Sequence, residues 1–209
     1  MTHHATRDGI RRFRLDDLAR LREICVLTGA AGGDATGRWS TDDLLPDLFL
    51  EPYLTYAPEW AWVVDLGEGP VGYLVAVPDT RRFVAWWRAK WAPWFAVRYL
   101  RPGPPYSPEE ELVERGFEPQ ILLMPELHDY PAHLHIDLLP EAQGRGHGRA
   151  LIETLIDALR RENVPGVHLA MDPANVGARQ FYARIGFEEL ESSTAEAPVF
   201  GRRVLPTTA

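Results

Sequence analysis

Cysteine is almost missing from this chain: Cys25 is the single one among 209 residues. That excludes an intramolecular disulfide framework and any cysteine-rich zinc or iron–sulfur site. Long apolar runs are missing too. No stretch of about 18 uncharged apolar residues occurs, so no helix is expected to span a bilayer. The residues from Met1 to Arg14 have no apolar core of the kind a secretory leader needs. Positive charge is in deficit: 22 Lys and Arg face 30 Asp and Glu, a net charge of −8. This balance argues against general nucleic-acid binding. A cytoplasmic protein is the resulting expectation.

What remains is a globular mix, 45% hydrophobic and 25% charged, which rules out wholesale disorder. A chain of this length removes roughly 70% of its extended surface from water on folding, so it needs no covalent staples. One domain over residues 1–209 is expected. Residues 16–27 read as a helix, with Leu15, Leu18, Leu21 and Ile24 at near-helical spacing. A glycine-rich loop follows at 29–37, and Thr41, Asp42 and Asp43 cap a helix carrying Leu44, Leu45, Leu48 and Phe49. Residues 60–66 and 71–77 form a hairpin around Gly67-Glu68-Gly69-Pro70. Further on, 133–139 and 167–171 read as strands, 144–162 and 175–185 as helices, and 187–190 and 199–204 as late strands. The alternation implies an α/β layer with a locally parallel core.

Residues 81–101 concentrate Trp86, Trp87, Trp91 and Trp94 with Phe83, Phe95 and Tyr99, and carry six Arg and Lys without an acid. The aromatic spacing predicts an amphipathic helix packed on the sheet, its arginines solvated on the far side. Two functional readings stand beside it: a surface that recognises an acidic ligand or peptide, and adhesion to an anionic membrane surface. Pro93 is expected to kink or end the helix. Ser107-Pro108-Glu109-Glu110 reads as the next helix start. The whole of about 80–130 is taken as an insertion.

The strongest chemical signal is Gln143-Gly144-Arg145-Gly146-His147-Gly148, set between a strand and a long helix. Glycines let a backbone bend and approach a ligand closely, and the helix N-terminus offers free N–H groups and a favourable dipole to an anion. Arg145 and Arg149 can add charge-assisted contacts. The set lacks the Gly-Lys-Ser/Thr of a Walker loop and the spacing of a dinucleotide fingerprint. His133, His135 and Asp137 alternate along one strand and so share a face. His133 and His135 form an H-x-H pair without a third ligand at clear spacing, and no metal is expected.

Gln143-x-x-Gly146-x-Gly148 resembles the acetyl-CoA loop of the GNAT N-acetyltransferase superfamily. Asn175-x-x-Ala178-x-x-Phe181-Tyr182-x-x-x-Gly186-Phe187 is similar to that superfamily's second signature, and the two cover residues 133–190 in the family's order. Over residues 60–204 the chain also resembles the acetyltransferase-like domain at the C-terminus of O-GlcNAcase, as a stand-alone bacterial-type relative. That likeness is carried by Gly72-Tyr73, Trp91-Ala92-Pro93-Trp94-Phe95, His135-Ile136-Asp137, Phe181-Tyr182 and Gly201-Arg202.

The resemblance implies a GNAT fold: a central mixed β-sheet with helices on both faces and a splay between the fourth and fifth strands. It implies acetyl-CoA as cosubstrate and direct acetyl transfer to an amine. Leu138 and Leu139 would pair with the pantetheine arm through their backbone. Gln143, Gly144, Arg145, Gly146, His147, Gly148 and Arg149 would hold the pyrophosphate. Asn175, with Ala178 in the same signature, would contact the pantetheine, and Tyr182 would protonate the leaving thiolate. Asp137 is the first choice for the base and His135 the second. The competing reading is a CoA-binding interaction module without turnover, using the segment around Trp86, Trp87, Trp91 and Trp94 as its partner surface. The acceptor and the choice between monomer and dimer stay open.

Overall fold

A computed structural model describes residues 9–205. Seven strands form a mixed sheet in the order β1-β2-β3-β4-β5-β7-β6. They are β1 (Ile10–Arg12), β2 (Ala61–Asp65), β3 (Pro70–Val77), β4 (Ala132–Leu138), β5 (Gly166–Ala170), β6 (Glu188–Glu189) and β7 (Val199–Arg203). The short β1 has no alternating pattern of its own. It forms by pairing with β2, and the sequence reading passed over it.

Every neighbouring pair is antiparallel except β4 and β5. These two pair only at Ala132 with Val167 and His133 with His168. Beyond that point β4 stays with β3, in register from Val77 opposite His133 to Gly72 opposite Leu138. Gly72 makes this close pairing possible, since a Cβ there would lie 2.9 Å from the Asp137 carbonyl oxygen. β5 pairs with β7 over its whole length. The sheet therefore opens between β4 and β5, as expected for the fourth and fifth strands.

Side chains alternate across a strand, so the sheet feeds two cores. On one face Tyr73, Val75 and Val77 meet α1 (Leu18–Leu27), α2 (Leu44–Phe49), α3 (Glu51–Tyr56), α4 (Thr80–Trp86), α5 (Ala92–Arg98) and α6 (Pro108–Phe117). On the other, Leu74, Ala76 and Leu134 meet α7 (His147–Arg161) and α8 (Val176–Arg184). Leu151, Ile152, Leu155, Ile156 and Leu159 form the buried stripe of α7 that their spacing predicts. The Ser107 hydroxyl accepts the Glu110 N–H while Ser107 donates its own N–H to the Glu110 carboxylate, the reciprocal cap that starts α6.

The tryptophan segment is mostly core. Trp87 and Trp91 are 3% and 5% exposed. Their indole N–H groups donate to the Gly116 and Asp47 carbonyls at 2.9 and 3.0 Å. Trp86 is half-buried, and Trp94 faces solvent most, at 37%. A membrane-adhesive face of indoles is therefore absent from this segment. Pro93 does not end the helix. A π-helical turn at Trp87–Trp91 precedes it, and Pro93 is the second residue of α5, which continues the same helical run.

The arginines are not simply solvated, contrary to the sequence expectation. Arg98 pairs with Asp43 and Asp47, Arg101 with Glu114 and Glu118, and Arg88 donates to Gln120. Asp47 is fully buried. The Tyr99 hydroxyl reaches it at 2.8 Å, and Arg22 lies at 3.5 Å. These contacts tie α5 to α1 and α2.

The joint between α5 and α6 has no room to spare. A Cβ at Gly116 would lie 2.3 Å from the ring of the fully buried Phe95. Gly116→Ala is expected to lower stability by about 1–3 kcal/mol through overpacking, although alanine favours a helix by about 1 kcal/mol. A urea melt measures it, and an unchanged or raised midpoint would contradict this packing.

Candidate active site

The site is assembled where β4 and β5 part. The Leu139 N–H donates to the Val71 carbonyl at 2.9 Å. Successive amides on a strand point to opposite edges, so the Leu138 amide faces the gap. The Leu138 carbonyl accepts the Gln143 side-chain amide at 2.8 Å. Of the two residues expected to meet a pantetheine arm, Leu138 offers a free backbone N–H and Leu139 does not. Gln143 acts as a clamp between strand and loop.

The loop after β4 leaves its backbone open to the outside. Gly144 and Gly146 have φ of +68° and +90°. A Cβ at either would meet nothing within 4 Å, so glycine is required by conformation and the space above is open. Gly148 serves packing instead, since its Cβ would lie 3.1 Å from Phe181 and 3.3 Å from Leu138. Among the described residues, the amides of residues 144–149 donate to no carbonyl of the chain. These are loop amides and first-turn amides of a 15-residue helix, whose dipole is positive at this end. Arg145 and Arg149 are exposed beside them and His147 is half-buried.

α8 borders the gap on the same face. The Asn175 side-chain oxygen accepts the Ala178 N–H at 3.0 Å and caps this helix. Its amide nitrogen lies against Gly32, where a Cβ would be 3.3 Å away. The loop after α1 thus reaches α8 through the tight turn Ala30–Gly33, closed by two backbone bonds between those residues. Tyr182 is buried between Phe181 and Phe187, with ring centroids at 5.3 and 5.4 Å. Its hydroxyl has no hydrogen-bond partner among the described residues and is not sealed from solvent. Burial first, then the Asp137 charge, push the phenol pKa up, so Tyr182 keeps its proton.

The opposite face of β4 carries His133, His135 and Asp137 on one side, as predicted. The Tyr73 hydroxyl donates to Asp137 at 2.5 Å from the directly opposing position on β3. Burial raises the Asp137 pKa, while the Tyr73 and Thr28 hydroxyls act against that rise. Burial holds His135 to a pKa of about 4 and pushes His133 well below the ordinary imidazole value. The Tyr53 hydroxyl lies 2.8 Å from His133 Nε2 and 2.9 Å from His135 Nε2. Cys25 is buried with its thiol pKa raised by desolvation, which makes it filler rather than a nucleophile. Asp172 accepts the Ala174 N–H and serves its turn. Among the described residues, no three His, Cys, Asp or Glu side chains gather into a metal-holding group.

The gap is thus a slot through the sheet. Free amides, Asn175 and Tyr182 lie on one side, and Asp137 and His135 on the other. A cavity of about 610 Å³ lined by Arg12, Asp79 and Arg161 lies at the far end, where β4 and β5 begin. Sequence reasoning missed Tyr53, Thr28 and Gly32. Tyr53 carries no motif, and only the folded register brings it under β4. Tyr73 was quoted within the resemblance but given no role.

Residues 108–187 match the acetyltransferase (GNAT) family. A solved structure, that of SsHAT, is 46% identical, with a TM-score of 0.89, over 94% of this chain and 98% of that one. The chain belongs to the GNAT acetyltransferase family. Protein O-GlcNAcase of Rattus norvegicus is 21% identical over 169 residues, 78% of this chain. The chain spans only 18% of that relative's length. PH1933 from Pyrococcus horikoshii is 18% identical with a TM-score of 0.57 over 93% of this chain and 96% of its own, and shares the fold. In GNAT terms, the slot is the family's splay between β4 and β5.

The buried histidines set a pH response. His168, buried and donating from Nδ1 to the Tyr130 carbonyl at 2.8 Å, is held like His135 at a pKa of about 4. In the unfolded chain each titrates near about 6.5. Between those values the unfolded state binds more protons. Stability is therefore complete above about pH 6.5 and falls towards about pH 4, by roughly 1.4 kcal/mol per histidine per pH unit. The raised Asp137 pKa works in the other direction and offsets part of the loss. Urea melts at pH 7.5 and 5 are expected to show a lower midpoint at pH 5, with a smaller drop in His168→Gln. Equal midpoints in the parent would contradict neutral burial.

Proposed function

We propose that the protein transfers an acetyl group from acetyl-CoA to an amine by direct attack within the β4–β5 slot. The observation that carries this reading is the run of unpaired amides at residues 144–149 beside the slot. An open anion cradle next to a strand edge with a free amide fits a diphosphate joined to an extended, hydrogen-bonding arm. Acetyl-CoA supplies an activated thioester when bound.

The chain's own residues supply the rest. The amides of residues 144–149, with Arg145 and Arg149, hold the pyrophosphate. Asn175 and Ala178 line the arm's path, and His147 stands at the helix entry. The Leu138 amide donates to the carbonyl oxygen as negative charge develops on it. Asp137 takes the proton of the attacking nitrogen, directly or through one water, while its contact with Tyr73 fixes its orientation. Tyr182 gives its phenolic proton to the departing sulfur. The acceptor enters from the Asp137 face, so the two substrates meet from opposite sides of the sheet.

Titration calorimetry with acetyl-CoA, CoA and ATP tests the cradle, and an amine panel with thiol release tests the chemistry. Binding of acetyl-CoA in preference to ATP is expected. Tyr182→Phe is expected to lower kcat by about 10²-fold or more with acetyl-CoA affinity unchanged. No binding to folded protein would overturn the assignment. Binding without turnover in the parent would leave a CoA-binding module instead.

A further inference from the structure

Beside the slot lies a hydrogen-bond chain whose direction is settled by its last member. Thr80 Oγ lies 2.7 Å from the Pro131 carbonyl oxygen and 2.8 Å from His133 Nδ1. A carbonyl only accepts, so the single hydroxyl proton of Thr80 goes to Pro131. Thr80 Oγ must then accept from His133, which fixes the proton of that neutral ring on Nδ1. His133 Nε2 is left as an acceptor and receives the Tyr53 hydroxyl at 2.8 Å. With its one proton used, Tyr53 Oη accepts from His135 Nε2 at 2.9 Å. His135 is thereby fixed as the Nε2–H tautomer. Its Nδ1 lone pair has no partner among the described residues and is not sealed from solvent.

The surroundings keep the chain in this one arrangement. Tyr53, Thr80 and His133 are buried. The Phe83 ring packs against both Tyr53 and His133, at centroid distances of 4.7 and 5.4 Å. Burial favours the neutral forms of Tyr53 and His133. Phe49 stands edge-on to His135 at 5.5 Å and forms an apolar wall beside its ring.

We propose that Tyr53, His133 and Thr80 are positioning residues that hold His135 in one tautomer, so that its Nδ1 receives an N–H from the acceptor amine on the Asp137 face of the slot. This rests on the acetyl-transfer reading and deepens it. The acceptor nitrogen must carry a second N–H besides the proton passed to Asp137. Primary amines satisfy that demand, and neutral secondary amines, with one N–H, do not.

Long-range ¹H–¹⁵N spectra of the histidine side chains test this directly, with phenethylamine as the probe and CoA present. In the parent protein, His133 should show only Nδ1–H and His135 only Nε2–H. Phenethylamine should shift His135 Nδ1 alone, and with acetyl-CoA in place of CoA N-methylphenethylamine, which has one N–H as the neutral nucleophile, should be acetylated more slowly. Tyr53→Phe should mix the tautomers of His135, leave His133 as Nδ1–H against Thr80, and weaken phenethylamine binding roughly tenfold, the effect of about one hydrogen bond. Its affinity for acetyl-CoA should not change. Thr80→Ser keeps the hydroxyl and should keep the parent pattern. Mixed tautomers in the parent, or a His135 Nδ1 unmoved by the amine, would overturn the proposal. If acetyl-CoA binds but the tautomers are mixed, this inference alone fails. If the tautomers are fixed but acetyl-CoA does not bind, the fault lies in the acetyl-transfer reading.

Discussion

The structure depends on the separation of β4 from β5 after two paired positions. Six antiparallel pairs hold β4 to β3, from His133 to Leu138, while β5 follows β7. That division leaves the Leu138 amide without a strand partner. It lets polar side chains on one face of β4 stand a strand's thickness from Tyr182 on the other. In an ordinary sheet those two faces are sealed from each other. Here they share one opening, and a reaction with two substrates can use each face for one of them.

The second constraint is how polar groups are tolerated beside that opening. Asp137, His135 and His133 would each be costly to bury alone. Each is answered by a hydroxyl: Tyr73 on Asp137, Tyr53 on both histidines, Thr80 on His133. None of these partners is charged, so the histidines stay neutral and the carboxylate keeps its basicity. The tryptophan segment contributes at one remove. Trp91 holds the Asp47 backbone, and Arg98 and Tyr99 hold the Asp47 side chain, so α2, which ends in Phe49, is fixed beside His135.

Much of this was legible in the sequence. The apolar stripe of α7 and the alternation of His133, His135 and Asp137 along β4 follow from local periodicity and appear where expected, as does the glycine loop 144–148 between a strand and a long helix. Gln143 was assigned to the pyrophosphate, but its side chain is bonded to Leu138, because a flexible amide takes the nearest unpaired carbonyl. Leu139 was grouped with Leu138, although strand pleating sends their amides in opposite directions, and only the register to β3 says which is which. Tyr53 and Thr80 were invisible because their partners lie 80 and 53 positions away in the chain. The arginines of 81–101 looked like a solvated face, since their acidic partners at Asp43, Asp47, Glu114 and Glu118 lie outside the segment.

Two rungs join β4 to β5, against five between β5 and β7. A sheet resists bending through its rungs, and of the lines inside the sheet, edge strand β6 apart, the one between β4 and β5 has the fewest. α7 bridges it from behind, since it leaves β4, packs on β1, β2 and β3, and delivers the chain to β5. The two blocks of strands, β1 to β4 and β5 to β7, are thus joined in the sheet only through Ala132–Val167 and His133–His168. The slot is therefore closed at one end, where His133 and His168 lie side by side, and unpaired along the rest of its length.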